Sequence, residues 1–130
     1  MDAARPSRFT RSTLSAPVRE NLAVAQALGL EGRLGAWRGL SGRRYIVSTI
    51  PLDRLAECGP AVFIAVGRGE TGHPQVAGIV IGQAIDAVND PRFKSADAVD
   101  VHFLAESSAV RERVAADLAE PQTIDCSGFQ

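Results

Sequence analysis

Runs of apolar residues in the middle of the chain follow the patterns of β-strands. Residues 44–50 are mostly β-branched or aromatic and end at Pro51, which is typical of a strand. Residues 61–66 are apolar throughout and predict a strand that is buried on both faces. The glycine-rich residues 67–74 separate this run from a further strand predicted over residues 75–81. The pattern therefore predicts a central β-hairpin.

The second half of the chain predicts one more strand and two helices. Residues 98–104 alternate in character, so one face of a strand should carry Val99, Val101 and Phe103, and the other Asp100, His102 and Leu104. Residues 83–89 predict a short helix that ends before Pro91. A longer helix should begin at Ser107 or Ser108, which can cap it. Its apolar residues recur at every fourth position, as Val110, Val114 and Leu118.

Before residue 44 the sequence predicts an arm, a helix and a loop. Residues 1–14 are rich in Arg, Ser, Thr and Pro and predict a flexible basic arm. Ser15 can cap a helix and Gly29 can end it. The apolar residues between them have helical spacing, and they are Val18, Leu22, Ala25 and Leu28. Glycines surround Trp37, so a loop is predicted there.

These elements together predict a small domain of the α+β (mixed α/β) class. Its sheet should have three or four strands, with the central hairpin flanked by helices. The boundaries divide the chain into a flexible basic arm at residues 1–14, an N-terminal helix and loop at residues 15–38, and an α/β domain at residues 39–126. The length of 130 residues fits one domain with its extension.

Composition and charge exclude several classes of protein. No apolar run approaches the ~20 residues of a membrane-spanning helix, so no membrane contact is expected. No secretory signal is visible, and we expect a cytoplasmic protein. The net charge is only -1, yet eight arginines and three acidic residues precede Tyr45, whereas six basic and twelve acidic residues follow. Such asymmetry is typical of a basic arm that docks on a negative surface, either on a partner or on its own domain.

Few residues stand in patterns that carry chemistry. Residues 67–72 match the GxGxxG pattern of dinucleotide sites, but a strand follows where that site needs a helix, so no cofactor is expected. Cys58 and Cys126 lack the spacing of a zinc site, and no metal is expected. Asp100 and His102 share a strand face. The two residues could form a general-base pair, or His102 could be a solvated histidine beside an acidic residue. The candidate binding residues are Arg5, Arg8, Arg11, Arg43, Arg44 and His102. Of these, Arg43 and Arg44 stand at a glycine-rich corner, where two guanidiniums can bind phosphate or carboxylate or can simply be solvated.

Five short motifs occur in a fixed order between residues 39 and 126. They are Leu40-Ser41-Gly42-Arg43-Arg44-Tyr45, Ala61-Val62-Phe63, Val80-Ile81-Gly82-Gln83-Ala84, Val101-His102 and Val114-Ala115-Ala116-Asp117-Leu118. In this order they resemble the motifs of the small GIY-YIG nuclease-like domains. The resemblance implies a GIY-YIG-like fold for this part of the chain.

In that family two tyrosines and an arginine organise the attacking water and the phosphate, and a glutamate holds a divalent metal. The resemblance places Phe63 and Val80 at the tyrosine positions and Ala115 at the glutamate position. Residues 83–89, where the arginine is expected, contain none. The replacing side chains offer no oxygen to water or metal. The resemblance therefore implies a degenerate active site without catalytic residues.

From this resemblance we predict a non-catalytic protein-interaction or regulatory module whose partner is another protein. The alternative is a nucleic-acid-binding module that uses the basic arm, or else a residual nuclease. A third hypothesis is an enzyme of unrelated chemistry centred on Asp100 and His102. The oligomeric state is left open.

Overall fold

The chain folds around one antiparallel sheet of six strands. A computed structural model describes residues 16–29 and 33–119. The strands are β1 (Val18–Asn21), β2 (Leu34–Arg38), β3 (Arg44–Thr49), β4 (Ala61–Arg68), β5 (Pro74–Gly82) and β6 (Ala98–His102). The helices are α1 (Ala23–Ala27), a 3₁₀ helix (Leu52–Glu57), α2 (Ala84–Val88), α3 (Pro91–Lys94) and α4 (Ser108–Leu118). Within this described part, no helix combines the length and the apolar character needed to cross a membrane.

The strand order across the sheet is β1-β2-β3-β6-β4-β5, and all neighbouring pairs are antiparallel. β6 lies between β3 and β4, so the last of the described strands joins β1, β2 and β3 to the β4–β5 hairpin. The sheet is curled. The predicted GIY-YIG-like sheet of only three or four strands is therefore wrong, because β1 and β2 extend it.

The sequence patterns predict a helix and a loop where the structure has β1 and β2. The loop prediction is wrong, and the helix prediction is confirmed only over Ala23–Ala27. β1 pairs with β2 over its whole length, from Val18 opposite Arg38 to Asn21 opposite Gly35, and only the short helix Ala23–Ala27 follows it. Local helical spacing is a weak signal in so short a segment, because pairing and packing with distant residues can override it.

Trp37 shows why the glycine-rich segment around it is a strand. Its side chain is fully buried, and Gly35 points to the same face of the sheet. The guanidinium of Arg19 lies over Gly35 and occupies the space that a Cβ atom would need there. Glycine in this strand therefore permits close packing and does not end the strand.

The predictions for the middle of the chain are confirmed. β3, β4, β5 and β6 coincide with predicted strands, and α2 and α4 coincide with predicted helices. On β6, Val101 packs on one side of the sheet, while Asp100 and His102 lie on the other. The hydroxyl of Ser107 accepts a hydrogen bond from the backbone N–H of Val110 at 3.2 Å, as predicted for the cap of α4.

Each face of the sheet has its own apolar core. On one face the 3₁₀ helix, α2 and α3 cover β4 and β6, and the buried side chains include Leu55, Phe63, Phe93 and Val101. On the other face lies α4, where the buried side chains include Trp37, Val47, Ile64, Val114 and Leu118. Full burial of one such side chain contributes roughly 1.5–3 kcal/mol. Helices on both faces therefore stabilise the central strands.

Asp100 is a buried acidic residue on β6 and is only 2% exposed. Its Oδ2 accepts hydrogen bonds from Nε of Arg19 and Nε1 of Trp37, both at 2.8 Å. Its Oδ1 accepts from Oγ1 of Thr49 at 2.6 Å. Because these donors stand on β1, β2 and β3, one carboxylate links four strands. Among the described residues Asp100 makes no hydrogen bond to His102, so the hypothetical general-base pair is not formed.

Candidate functional site

A cavity of about 610 Å³ opens beside α4, β3 and the segment that follows β6. We call it the His102 cavity. Its polar lining consists of Ser41, Arg43, Tyr45, His102, Arg113 and Asp117. Its apolar lining consists of Leu104, Ala105, Val110, Val114 and Ala116. This volume lies in the range of ligand sites, and about half of the lining residues are polar.

Asp117, near the end of α4, fastens that helix to the turn between β2 and β3. Its Oδ1 accepts a hydrogen bond from the backbone N–H of Ser41 at 2.8 Å. Its Oδ2 accepts from the hydroxyl of Ser41 at 2.6 Å and from the hydroxyl of Tyr45 at 2.7 Å. The backbone carbonyl of Asp117 also accepts from the N–H of Leu40. These bonds hold one wall of the cavity in place.

The same bonds set the charge of this wall. Partial burial by itself raises the pKa of Asp117, but the hydrogen bonds from Ser41 and Tyr45 and the charge of Arg43 together lower it. The pKa of Tyr45 is raised, first by burial and then by its bond to Asp117. At neutral pH the wall therefore holds an ionised Asp117 and a neutral Tyr45 that donates to it.

His102 lies at the inner end of the cavity and is only 5% exposed. Its Nδ1 is 2.8 Å from the backbone carbonyl oxygen of Ile46, which can only accept, so Nδ1 carries a proton. The ring packs edge-on against Tyr45, with the ring centroids 5.5 Å apart. Nε2 has no hydrogen-bond partner among the described residues. The imidazole is thus held in one orientation, with Nε2 left for a ligand.

Two guanidinium groups line the cavity without a hydrogen-bond or ion-pair partner among the described residues. The side chains of Arg43 and Arg113 make no hydrogen bond or ion pair with any residue that the structure describes. By contrast, Arg38 and Arg44 both pair with Glu20, at 2.7 and 2.9 Å. The cavity therefore presents two guanidiniums that make no hydrogen bond within the described chain, although the charge of Arg43 acts on Asp117. The Asp117 carboxylate already accepts from three donors.

The structure brings together two of the predicted binding residues, Arg43 and His102, in this cavity. Arg44 is the first residue of β3 and points to the opposite face of the sheet from Tyr45, where it pairs with Glu20. The other predicted binding residues lie outside the described part of the chain, and they are Arg5, Arg8 and Arg11. Sequence reasoning missed the site roles of Ser41, Tyr45, Arg113 and Asp117.

The three positions that the family resemblance marks do not form one cleft. Phe63 and Val80 are paired across β4 and β5 and pack in the core beneath α2 and α3. Ala115 is on α4, which covers the opposite face of the sheet. The sheet therefore separates the first two positions from the third.

A second cavity, of about 740 Å³, lies beside the 3₁₀ helix and is lined by residues that include Pro51, Cys58 and Phe103. Burial and, to a lesser extent, the charge of Glu57 raise the pKa of the Cys58 thiol, which makes it a poor nucleophile. In the described segments no three His, Cys, Asp or Glu side chains are grouped so that they could hold a metal ion. We therefore regard the smaller His102 cavity as the candidate site.

No family model matches this chain, and no curated protein or solved structure is similar to it. The resemblance to GIY-YIG domains therefore stays a prediction from the sequence motifs.

The contacts of Asp117 predict a pH-dependent contribution to stability. Because the pKa of Asp117 is lower in the folded chain, the ionised carboxylate favours folding above its ordinary pKa, and this contribution is lost as the pH falls through the folded-state value. We expect Asp117→Asn to lower the free energy of unfolding by about 1–2 kcal/mol near neutral pH. Urea unfolding from pH 7 to pH 3 should show the difference from wild type shrinking towards acid. A difference that grows towards acid would contradict the assigned role, and Asp97→Asn serves as the control because Asp97 is exposed.

Proposed function

We propose that this chain is a non-catalytic interaction module that binds an acidic group of a partner protein in the His102 cavity. The observation that carries the proposal is the pair of unpartnered guanidiniums, Arg43 and Arg113, beside a buried histidine with an open ring nitrogen. Guanidinium groups pair with carboxylates and phosphates through two parallel hydrogen bonds. An anionic ligand would supply the acceptors that these donors lack within the described chain.

A protein partner fits the rest of the lining better than a nucleic acid does. Leu104 is 67% exposed at the rim, and Val110 and Val114 continue this apolar wall along α4. Sequence-tolerant binding of nucleic acids uses exposed aromatic rings for base stacking. Trp37 is fully buried, and the ring of Tyr45 packs against His102. Nucleic acid remains the alternative partner, to be tested beside the first.

The hydrogen bonds that nearby polar side chains already make support a non-catalytic role. The hydroxyl of Ser41 donates to Asp117 and also accepts from the backbone N–H of Arg43, so it is not poised as a nucleophile. Asp100 is occupied by Arg19, Trp37 and Thr49 and does not assist His102. A lone imidazole without an acid partner or a nucleophile favours binding over turnover. As part of the proposal we place the module in the cytoplasm, where Cys58, which has no disulfide partner among the described residues, would stay reduced.

The binding test compares fluorescent peptides rich in glutamate with matched glutamine peptides, measured by anisotropy. We expect the double variant Arg43→Gln/Arg113→Gln to bind the acidic peptides about tenfold or more weakly than the wild type. The matched control is Arg54→Gln/Arg68→Gln, which removes two exposed charges outside the cavity. Equal losses in both double variants would show non-specific electrostatics and would refute the cavity as the site.

A second assay addresses catalysis. Purified full-length chain should not cleave single-stranded, double-stranded or branched DNA with magnesium or manganese, and should not cleave RNA. Turnover that disappears in His102→Ala would overturn the non-catalytic assignment, because His102 is the buried base of the cavity.

A further inference from the structure

The His102 cavity has more N–H donors than the two oxygens of one carboxylate can accept. Arg43 and Arg113 each present a planar fork of N–H groups, and neither fork has a partner among the described residues. A carboxylate has two oxygens and one charge, which a single guanidinium satisfies. A phosphate monoester has three terminal oxygens and about 1.5 to 2 negative charges near neutral pH. Two guanidiniums therefore supply enough N–H donors for the phosphate oxygens, and together with the ionised Asp117 they leave the described polar lining with a net positive charge.

We infer that the His102 cavity is a binding site for a phosphorylated serine or threonine side chain of the partner protein. This inference rests on the proposed function and specifies the ligand of the same site. Arg43 and Arg113 bind the phosphate oxygens, which supply the acceptors that neither guanidinium has among the described residues. Asp117 stays bonded to Ser41 and Tyr45, and positions the wall without receiving the ligand.

His102 completes the recognition of the phosphate through Nε2. Because Ile46 fixes the proton on Nδ1, Nε2 of the neutral ring accepts from the P–O–H of the phosphate monoanion. One proton is shared between the imidazole and the phosphate, and no bond to phosphorus is made or broken.

The apolar half of the cavity suits the peptide that carries the phosphate. Leu104, Val110 and Val114 form a wall beside the polar end, and the volume of about 610 Å³ exceeds that of one phosphoryl group. A phosphodiester of a nucleic acid carries one charge per phosphate and would bring bases that need stacking partners. The aliphatic wall offers contact to side chains and no platform for bases.

The test uses the full chain and degenerate peptide libraries centred on phosphoserine, on serine and on glutamate. We expect the phosphoserine library to bind about tenfold or more tightly than the glutamate library, and the serine library not to bind. Inorganic phosphate should compete, whereas acetate at the same concentration should not. Arg43→Gln and Arg113→Gln should each remove most of the preference for phosphoserine over glutamate, whereas Arg54→Gln should leave it unchanged.

The outcomes separate this inference from the function on which it rests. Equal binding of the glutamate and phosphoserine libraries, with both weakened in Arg43→Gln, would overturn the phosphate assignment and leave the acidic partner in place. Absence of binding by either library would overturn both. Tighter binding of single-stranded RNA than of any peptide would overturn the proposal that the ligand is part of a protein. A further measurement needs no variant and so does not depend on whether the variants fold. In a ¹⁵N NMR titration of the wild type with inorganic phosphate, the signals of Arg43, His102 and Arg113 should shift.

Discussion

Replacing Asp100 with alanine lowers the free energy of unfolding by about 3–5 kcal/mol, because a buried ion pair loses one partner and the other stays buried. The side chain of Arg19 is only 13% exposed, and Nε1 of Trp37 also loses its acceptor. Thr49 loses the acceptor of its hydroxyl as well. Strands β1, β2 and β3 should all lose stability, which urea unfolding and amide hydrogen exchange will measure.

The matched control is Asp97→Ala, which removes an exposed carboxylate 3.9 Å from Nε of Arg68. We expect it to change the free energy of unfolding by about 0.5 kcal/mol or less. A double variant, Arg19→Met/Asp100→Leu, should be more stable than Asp100→Ala, because no unpaired charge remains buried. A loss below about 1 kcal/mol for Asp100→Ala would mean that the carboxylate is not the link between the strands.

Replacing Phe63 with alanine should also cost about 3–5 kcal/mol of unfolding free energy, because it leaves a cavity in a packed core. Phe63 is fully buried and lies between Val80 and Val101, its partners on the neighbouring strands. The control is Ile81→Ala on β5, where the side chain is 36% exposed and the expected loss is smaller. Urea unfolding at constant pH measures both variants.

Phe63→Tyr separates this core role from the catalytic position that the family resemblance implies. A hydroxyl added among apolar side chains finds no partner, so we expect a loss of about 1–3 kcal/mol in unfolding free energy and no DNA cleavage. DNA cleavage by the Phe63→Tyr variant would instead support the catalytic position that the family resemblance implies for residue 63. A stability loss below about 1 kcal/mol for Phe63→Ala would show that the core there is loosely packed.

The candidate site shows which functional residues can be recognised without a structure. Arg43 and His102 are both candidate binding residues in the sequence, Arg43 for phosphate or carboxylate and His102 as an imidazole beside Asp100. Arg113 is not singled out, and Asp117 enters only within a motif of the family resemblance, since charged residues on a helix are usually solvated. Their position at the cavity depends on how α4 lies across the sheet, which involves residues about 70 positions away, as in the Ser41–Asp117 bond.

The amino-acid pattern alone determined β3 to β6, α2 and α4, because alternation, apolar runs and a serine cap act within a few residues. The strands β1 and β2 could be recognised only in the tertiary structure. Their pairing and the burial of Trp37 outweigh the local helical spacing and the glycine content that predict a helix and a loop. The same holds for the charges. A carboxylate such as Asp100 looks like a surface or catalytic group in the sequence, and only long-range donors make it an internal link between strands.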